Sequence, residues 1–181
     1  MTTFVALLRG INVSGQKRIR MADLQKSCEA LGFNDVRSYL QSGNVVFRAN
    51  QSAPRKLAAA LRAQIAKDFG HEVEVLVLSA KDLSRVAKSS PLRPRSGSDE
   101  TLFHATFLFE PVSANRFQNF TLPAQSGEQA ALVGQVVFLH CPHGYGRTKL
   151  NNAYFEKAFG VPATTRNWRT VLALQELCGK L

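Results

Sequence analysis

Acidic residues are scarce in this chain of 181 residues: 13 Asp and Glu stand against 23 Lys and Arg, and no aspartate follows Asp99. The balance of +10 favours anionic partners such as nucleic acid or phosphorylated metabolites, although scattered basic residues also make an ordinary solvated surface. Cysteine is limited to Cys28, Cys141 and Cys178. An odd count without framework spacing excludes a disulfide scaffold and points to reduced thiols in a cytoplasm. Long apolar runs are missing too. The first, Phe4 to Leu8, is too short to cross a bilayer or to form a signal core, so neither a membrane protein nor a secreted one is expected. With 45% hydrophobic residues, the chain can bury one sizeable core or two small ones.

The apolar pattern predicts a strand over Thr3 to Arg9 and a helix over Arg20 to Leu31, with Met21, Leu24, Cys28 and Leu31 on one face and Gly32 as its stop. Strands Val36 to Gln41 and Asn44 to Arg48 flank Ser42-Gly43, a short hairpin connection. Ser52 is positioned to cap a helix that has Pro54 in its first turn, Leu57, Leu61, Ile65 and Phe69 at every fourth place, and Gly70 at its end. Glu72 to Leu78 completes a strand, helix, strand, strand, helix, strand series, the order of a ferredoxin-like half. Ser79 and Asp82 open a further short helix.

The stretch from Ser89 to Ser98 breaks all periodicity. After it come a strand over Leu102 to Phe109, a helix over Ser113 to Phe120, a hairpin over Glu128 to Leu139 turning near Val133-Gly134, and a helix ending near Phe159. A last helix carries Trp168, Val171, Leu172, Leu174 and Leu177. Gly43 to Phe47 echoes Gly134 to Phe138, and Thr3-Phe4-Val5 echoes Thr106-Phe107-Leu108, so a duplication is expected. The expected class is α+β: two similar ferredoxin-like halves, βαββαβ and βαββα, packed as one protein, with an N-terminal half at 1–88, a linker at 89–100 and a C-terminal half at 101–181.

In such a half the loop after the first strand and the hairpin after the second lie at one edge. Arg9-Gly10-Ile11-Asn12 then meets Gln41-Ser42-Gly43-Asn44, and Gly15-Gln16-Lys17-Arg18 lies just before a helix whose amino end attracts anions. Convergence of these polar segments makes a ligand-binding edge; the blander reading is that Arg9 and Asn12 tie the hairpin to the loop through side-chain to backbone bonds. A second constellation runs from His140 to Thr148. Read literally, His140-Cys141 followed by Arg147-Thr148 matches the loop of cysteine-dependent phosphatases, with Cys141 as nucleophile and Arg147 as the phosphate fork. The aspartate such enzymes use to protonate the leaving group is absent, and Glu110 is a weak substitute. His140, Cys141 and His143 make a poor metal set, since adjacent strand residues point to opposite faces.

Ala6-Leu7-Leu8-Arg9-Gly10-Ile11-Asn12-Val13, Tyr39 to Phe47 and Thr165-Arg166-Asn167-Trp168 together resemble the bacterial family called domain of unknown function 1697, over nearly the whole chain. The resemblance implies an α+β fold of two similar halves and no known activity. It also implies that Pro142, Gly144, Gly146, Thr148 and Lys149 are family pattern, with His140 and Cys141 added by this chain. Ser89-Ser90-Pro91-Leu92 departs from the usual Ala-Asn-Pro-Phe.

The functional expectation is a binding module for a phosphate-bearing or other anionic ligand, using Arg9, Asn12, Gln41, Ser42, Asn44, Arg147, Lys149, Arg166 and Asn167. Non-specific nucleic-acid binding and a cysteine phosphatase are the alternatives. No metal and no cofactor is expected, and a monomer is favoured.

Overall fold

The computed structural model describes residues 1–50, 53–92, 94–119 and 127–181. It is an α+β fold whose described residues form two four-stranded antiparallel sheets and six α-helices. Two compact units divide the chain: Met1–Arg85 with Ala173–Leu181, and Val86–Leu172.

In the first unit the elements follow as β1 (Thr2–Leu8), α1 (Met21–Ala30), β2 (Asn34–Tyr39), β3 (Asn44–Ala49), α2 (Pro54–Phe69), β4 (Val75–Ser79) and the start of α3 (Ala80–Ser89). The sheet order is β2-β3-β1-β4. Phe4, Ala6 and Leu8 join the core beneath α1 and α2, while Val5 and Leu7, pointing to the other face, are fully buried as well. Burial on both faces is why β1 reads as an unbroken apolar run instead of an alternation. Leu24 and Cys28 of α1 and Leu57, Leu61 and Ile65 of α2 supply the helical side of this core, at the spacing of one helix face. Phe47 stacks on Phe33 with ring centroids 4.3 Å apart. α2 ends at Gly70, whose φ of 67° takes the left-handed cap conformation. The expected cap Ser52 lies outside the described residues; Ala53 holds the capping position without a side-chain bond, and Pro54 opens the helix.

Two strands begin and end differently from their sequence pattern. β2 starts at Asn34, two residues early, because Asp35 at φ 52° and a register shift between Asn34 and Arg37 admit a bulge. It ends at Tyr39 because Leu40 turns at φ 58°. β4 starts at Val75 instead of Glu72, the preceding backbone serving neighbouring loops: Lys17 Nζ donates to the Glu72 carbonyl and the Arg9 amide to that of Glu74. α3 opens as expected, with Ser79 Oγ accepting from the Asp82 amide at 3.1 Å.

The second unit contains β5 (Phe103–Leu108), α4 (Ala114–Gln118), β6 (Gln129–Val133), β7 (Val136–His140), α5 (Asn152–Phe159), β8 (Ala163–Asn167) and the start of α6 (Trp168–Gly179), whose remainder belongs to the first unit, in sheet order β6-β7-β5-β8. Phe120, the expected end of α4, lies outside the described residues. β8 corrects the sequence reading, which ended this half as βαββα without a final strand. Ala-Thr-Thr-Arg-Asn has no apolar run to announce it; polar pairing holds it instead, Thr165 Oγ1 lying 2.8 Å from Thr106 Oγ1 and donating to Asn152 Oδ1 at 2.7 Å.

The internal echo also needs correction. The end of β1 and the end of β5 are tied alike, by Leu8 N to Gly43 O at 2.9 Å and Leu108 N to Gln135 O at 2.8 Å. Gly43 therefore corresponds to Gln135, not to Gly134, and Phe47 to Leu139, not to Phe138. Side-chain facing agrees: Phe47 and Leu139 each belong to a helix-covered core, whereas a one-residue slip would put them on opposite faces. Phe4 likewise corresponds to His104. The two units share strand order; the matching letters are coincidence between apolar strands.

At Gly43 the turn meets β1 most closely. Its φ is 83°, and an added Cβ would lie 2.8 Å from Leu8 Cβ and 2.9 Å from two side-chain carbons of Ile11. We expect Gly43→Ala to destabilise the protein by about 2–4 kcal/mol, combining left-handed strain with overpacking. Gly134→Ala, at φ 61° with open space around it, should cost about 1 kcal/mol. Urea midpoints at unchanged slope check the pair, and equal costs would show that the Gly43 packing carries no weight.

Candidate functional site

Asn12 organises the end of the first sheet. At φ 55° its Nδ2 donates to the carbonyls of Ile19 and Gln41, each at 2.9 Å, and its Oδ1 accepts from the Ile19 amide at 2.9 Å. Its own amide donates to Lys17 O at 3.2 Å. These bonds close the 12–19 loop on itself and fasten it to the hairpin, so the two segments expected to converge do meet. The tie is of the side-chain to backbone kind, which makes Asn12 a positioning residue.

What the tie leaves is an open concavity of about 390 Å³ lined by Asn12, Gly15, Arg18, Ile19, Arg20 and Gln41. Arg18 folds over Gly15, where an added Cβ would sit 3.4 Å from a guanidinium nitrogen. Arg20 occupies the capping position of α1 without a side-chain cap bond, so the first amides of the helix lack the usual oxygen acceptor from that residue. Asp23 supplies one negative charge in the first turn, 3.7 Å from Arg20 and 3.9 Å from Lys26, at exposed positions where such pairs contribute little. Arg18 and Arg20 were not among the residues singled out for binding; the Gly15-Gln16-Lys17-Arg18 segment before a helix was their only sequence signal.

The remaining sequence-chosen residues divide. Arg9 is half-buried, and Ser42 is exposed beside Gln41. Asn44 is fully buried, its Nδ2 donating to Tyr39 O at 2.8 Å and Ser42 Oγ at 3.1 Å, so it holds the turn. In the second unit Arg147 and Lys149 are exposed, whereas Arg166 is buried, with Nη1 donating to Thr164 Oγ1 at 2.7 Å and Thr165 O at 2.9 Å. Burial pulls the Arg166 pKa down to about 10. Asn167 donates to Thr101 O at 2.9 Å, and its amide nitrogen lies 3.3 Å from His104 Nε2.

The His140 to Thr148 segment is no phosphate cradle. It contains a 3-10 turn at Tyr145–Arg147, and α5 begins only at Asn152, capped by Asn151, so Thr148 stands outside the helix. Cys141 is fully buried. Its thiol is pushed up to about 11 by burial and by the charge of Glu128, against which a hydrogen bond with Thr148 acts only weakly. Burial likewise pushes Cys28 up to about 12 and Cys178 up to about 11. Among the described residues no group of three or more His, Cys, Asp or Glu is placed to hold a metal ion.

An α+β protein with two four-stranded antiparallel sheets, a basic recess at one sheet end and a buried cysteine is the class that the fold defines. The chain belongs to the family described as protein of unknown function (DUF1697), whose profile matches residues 1–138. Its fold is similar to that of a conserved bacterial protein from Streptococcus pneumoniae, with a TM-score of 0.75 and 23% identity over 98% of each chain. No curated protein matches the chain.

Two predictions concern the second unit and the thiols. His104 is stacked on Tyr145 at 4.5 Å, and burial depresses its pKa from 6.5 to about 4. The unfolded chain therefore binds the proton first, so stability is full above pH 6.5 and falls as the pH drops towards 4, by roughly 2–3 kcal/mol. His104→Gln should flatten that part of the pH profile of urea unfolding; an unchanged slope would assign it to other groups. All three thiols should resist a disulfide reagent at pH 8 in the native protein and react on unfolding. Fast native labelling of Cys141 would show that its loop opens.

Proposed function

We propose that this protein is a binding module for a small phosphate-bearing anion, held in the recess at the end of the first sheet. The observation that carries the reading is the lining itself: two exposed arginines, the amide of Gln41 and the uncapped start of α1 converge on one concavity. Two guanidinium groups suit phosphate oxygens, which accept several directed bonds at once, and the amino end of α1 beside them carries a positive dipole end that favours an anion.

We further infer that the two sheets are duplicated ferredoxin-like halves. Their identical strand order and the paired bonds at the ends of β1 and β5 support this. Under that alignment Arg9-Gly10-Ile11-Asn12 corresponds to Phe109-Glu110-Pro111-Val112. The second copy thus has Phe109 and Val112 where the first has the base Arg9 and the asparagine that shapes the loop, with an acid and a proline between them. This reading places the anion at the first copy. Buried, unpaired thiols fit a reducing cytoplasmic setting for such a protein.

The test is thermal shift with inorganic phosphate and pyrophosphate. At about a hundred times the dissociation constant, the melting temperature should rise by about 5–10 °C. The Arg18→Gln/Arg20→Gln variant should melt normally and lose the shift. Between about 50 and 200 mM salt the affinity should weaken only modestly, whereas a polynucleotide laid along many lysines and arginines would lose about a thousandfold or more. Steep loss with a long polyanion and no shift with pyrophosphate would transfer the basic surface to nucleic acid.

A further inference from the structure

The two chain segments that bound the recess each carry an exposed apolar residue. Among the described residues Val13 is 56% exposed and Leu40 55% exposed, more than any other large hydrophobic except Met1. Each adjoins a lining residue, Val13 next to Asn12 and Leu40 next to Gln41, and the bond from Asn12 Nδ2 to Gln41 O joins those neighbours at 2.9 Å. Leu40 also stands at φ 58°, a left-handed conformation that asparagine or glycine adopts more readily than leucine. One exposed leucine is unremarkable in any protein. Two large apolar side chains on the two segments bounding one cationic recess, one of them kept against its backbone preference, call for an occupant.

We propose that the recess takes a small phosphate ester whose carbon body is aromatic or aliphatic, with the phosphate on Arg18 and Arg20 and the body over Val13 and Leu40. This rests on the anion reading above and adds the substrate class. The cationic lining argues for an ester over an uncharged apolar partner, by charge complementarity. The size, about 390 Å³, suits a small molecule.

Calorimetric titration with 1-naphthyl phosphate, inorganic phosphate and 1-naphthol tests it. Naphthyl phosphate should bind about tenfold more tightly than phosphate, the gain from burying some 50–60 Å² of apolar surface. In the Val13→Thr/Leu40→Asn variant that preference should vanish while the melting temperature holds, since asparagine accepts the φ of position 40. Equal affinity for the two phosphates, or a preference that survives the variant, overturns the apolar seat while leaving the anion recess standing. Naphthol binding as tightly as its phosphate overturns the ester. If neither phosphate binds, the anion reading fails and this inference with it.

Discussion

The close approach of the Gly43 turn to the end of β1 is the constraint from which the recess follows. No Cβ fits there, and the bond from Leu8 N to Gly43 O fixes where β1 stops relative to the hairpin. With the two chain segments locked at that distance, Asn12 reaches Gln41 with its side chain and Ile19 with both its amide groups. The 12–19 loop is thereby shaped by its own bonds, and Arg18 within it and Arg20 just after it are presented on a scaffold whose core includes Phe4, Leu8, Phe47 and the apolar faces of α1 and α2.

Asn12 and Asn44 look like ligand-binding residues in the sequence and serve the backbone in the structure. Both sit where the chain turns sharply, and each satisfies carbonyls that would otherwise be left at a crowded strand end. The second unit shows the same economy with different residues. Arg166 is held by two threonine-derived oxygens, and Asn167 connects Thr101 and the buried His104. The polar signature near the C-terminus is thus explained by structure, and Arg147 and Lys149 are what remains exposed there.

The helices and most strands were legible because their periodicity is strong. Leu57, Leu61 and Ile65 define α2 unaided, and Gly70 ends it where left-handed φ is needed. β8 was not legible, since its stability comes from hydroxyl pairing and a buried arginine, which leave no hydrophobic period to read. The internal echo shows the opposite failure. Matching letters at Gly43 and Gly134 point to a repeat, but the positions that the two sheets place alike are one residue away, and a side-chain period of two makes that slip a reversal of face.

By itself the sequence determined the α+β class, the basic character, the absence of a disulfide framework and the family, because composition, periodicity and the Arg-Gly-Ile-Asn and Gln-Ser-Gly-Asn segments are local properties of the chain. Tertiary structure decided which polar residues bond to the backbone and which stay exposed. It moved the candidate site from the asparagines to Arg18 and Arg20, and it took Cys141 out of reach by burying a thiol that a strand-end motif had offered as a nucleophile. The reason is physical: hydrogen-bond partners, burial and the pKa of a thiol depend on neighbours tens of residues away, which no local pattern specifies.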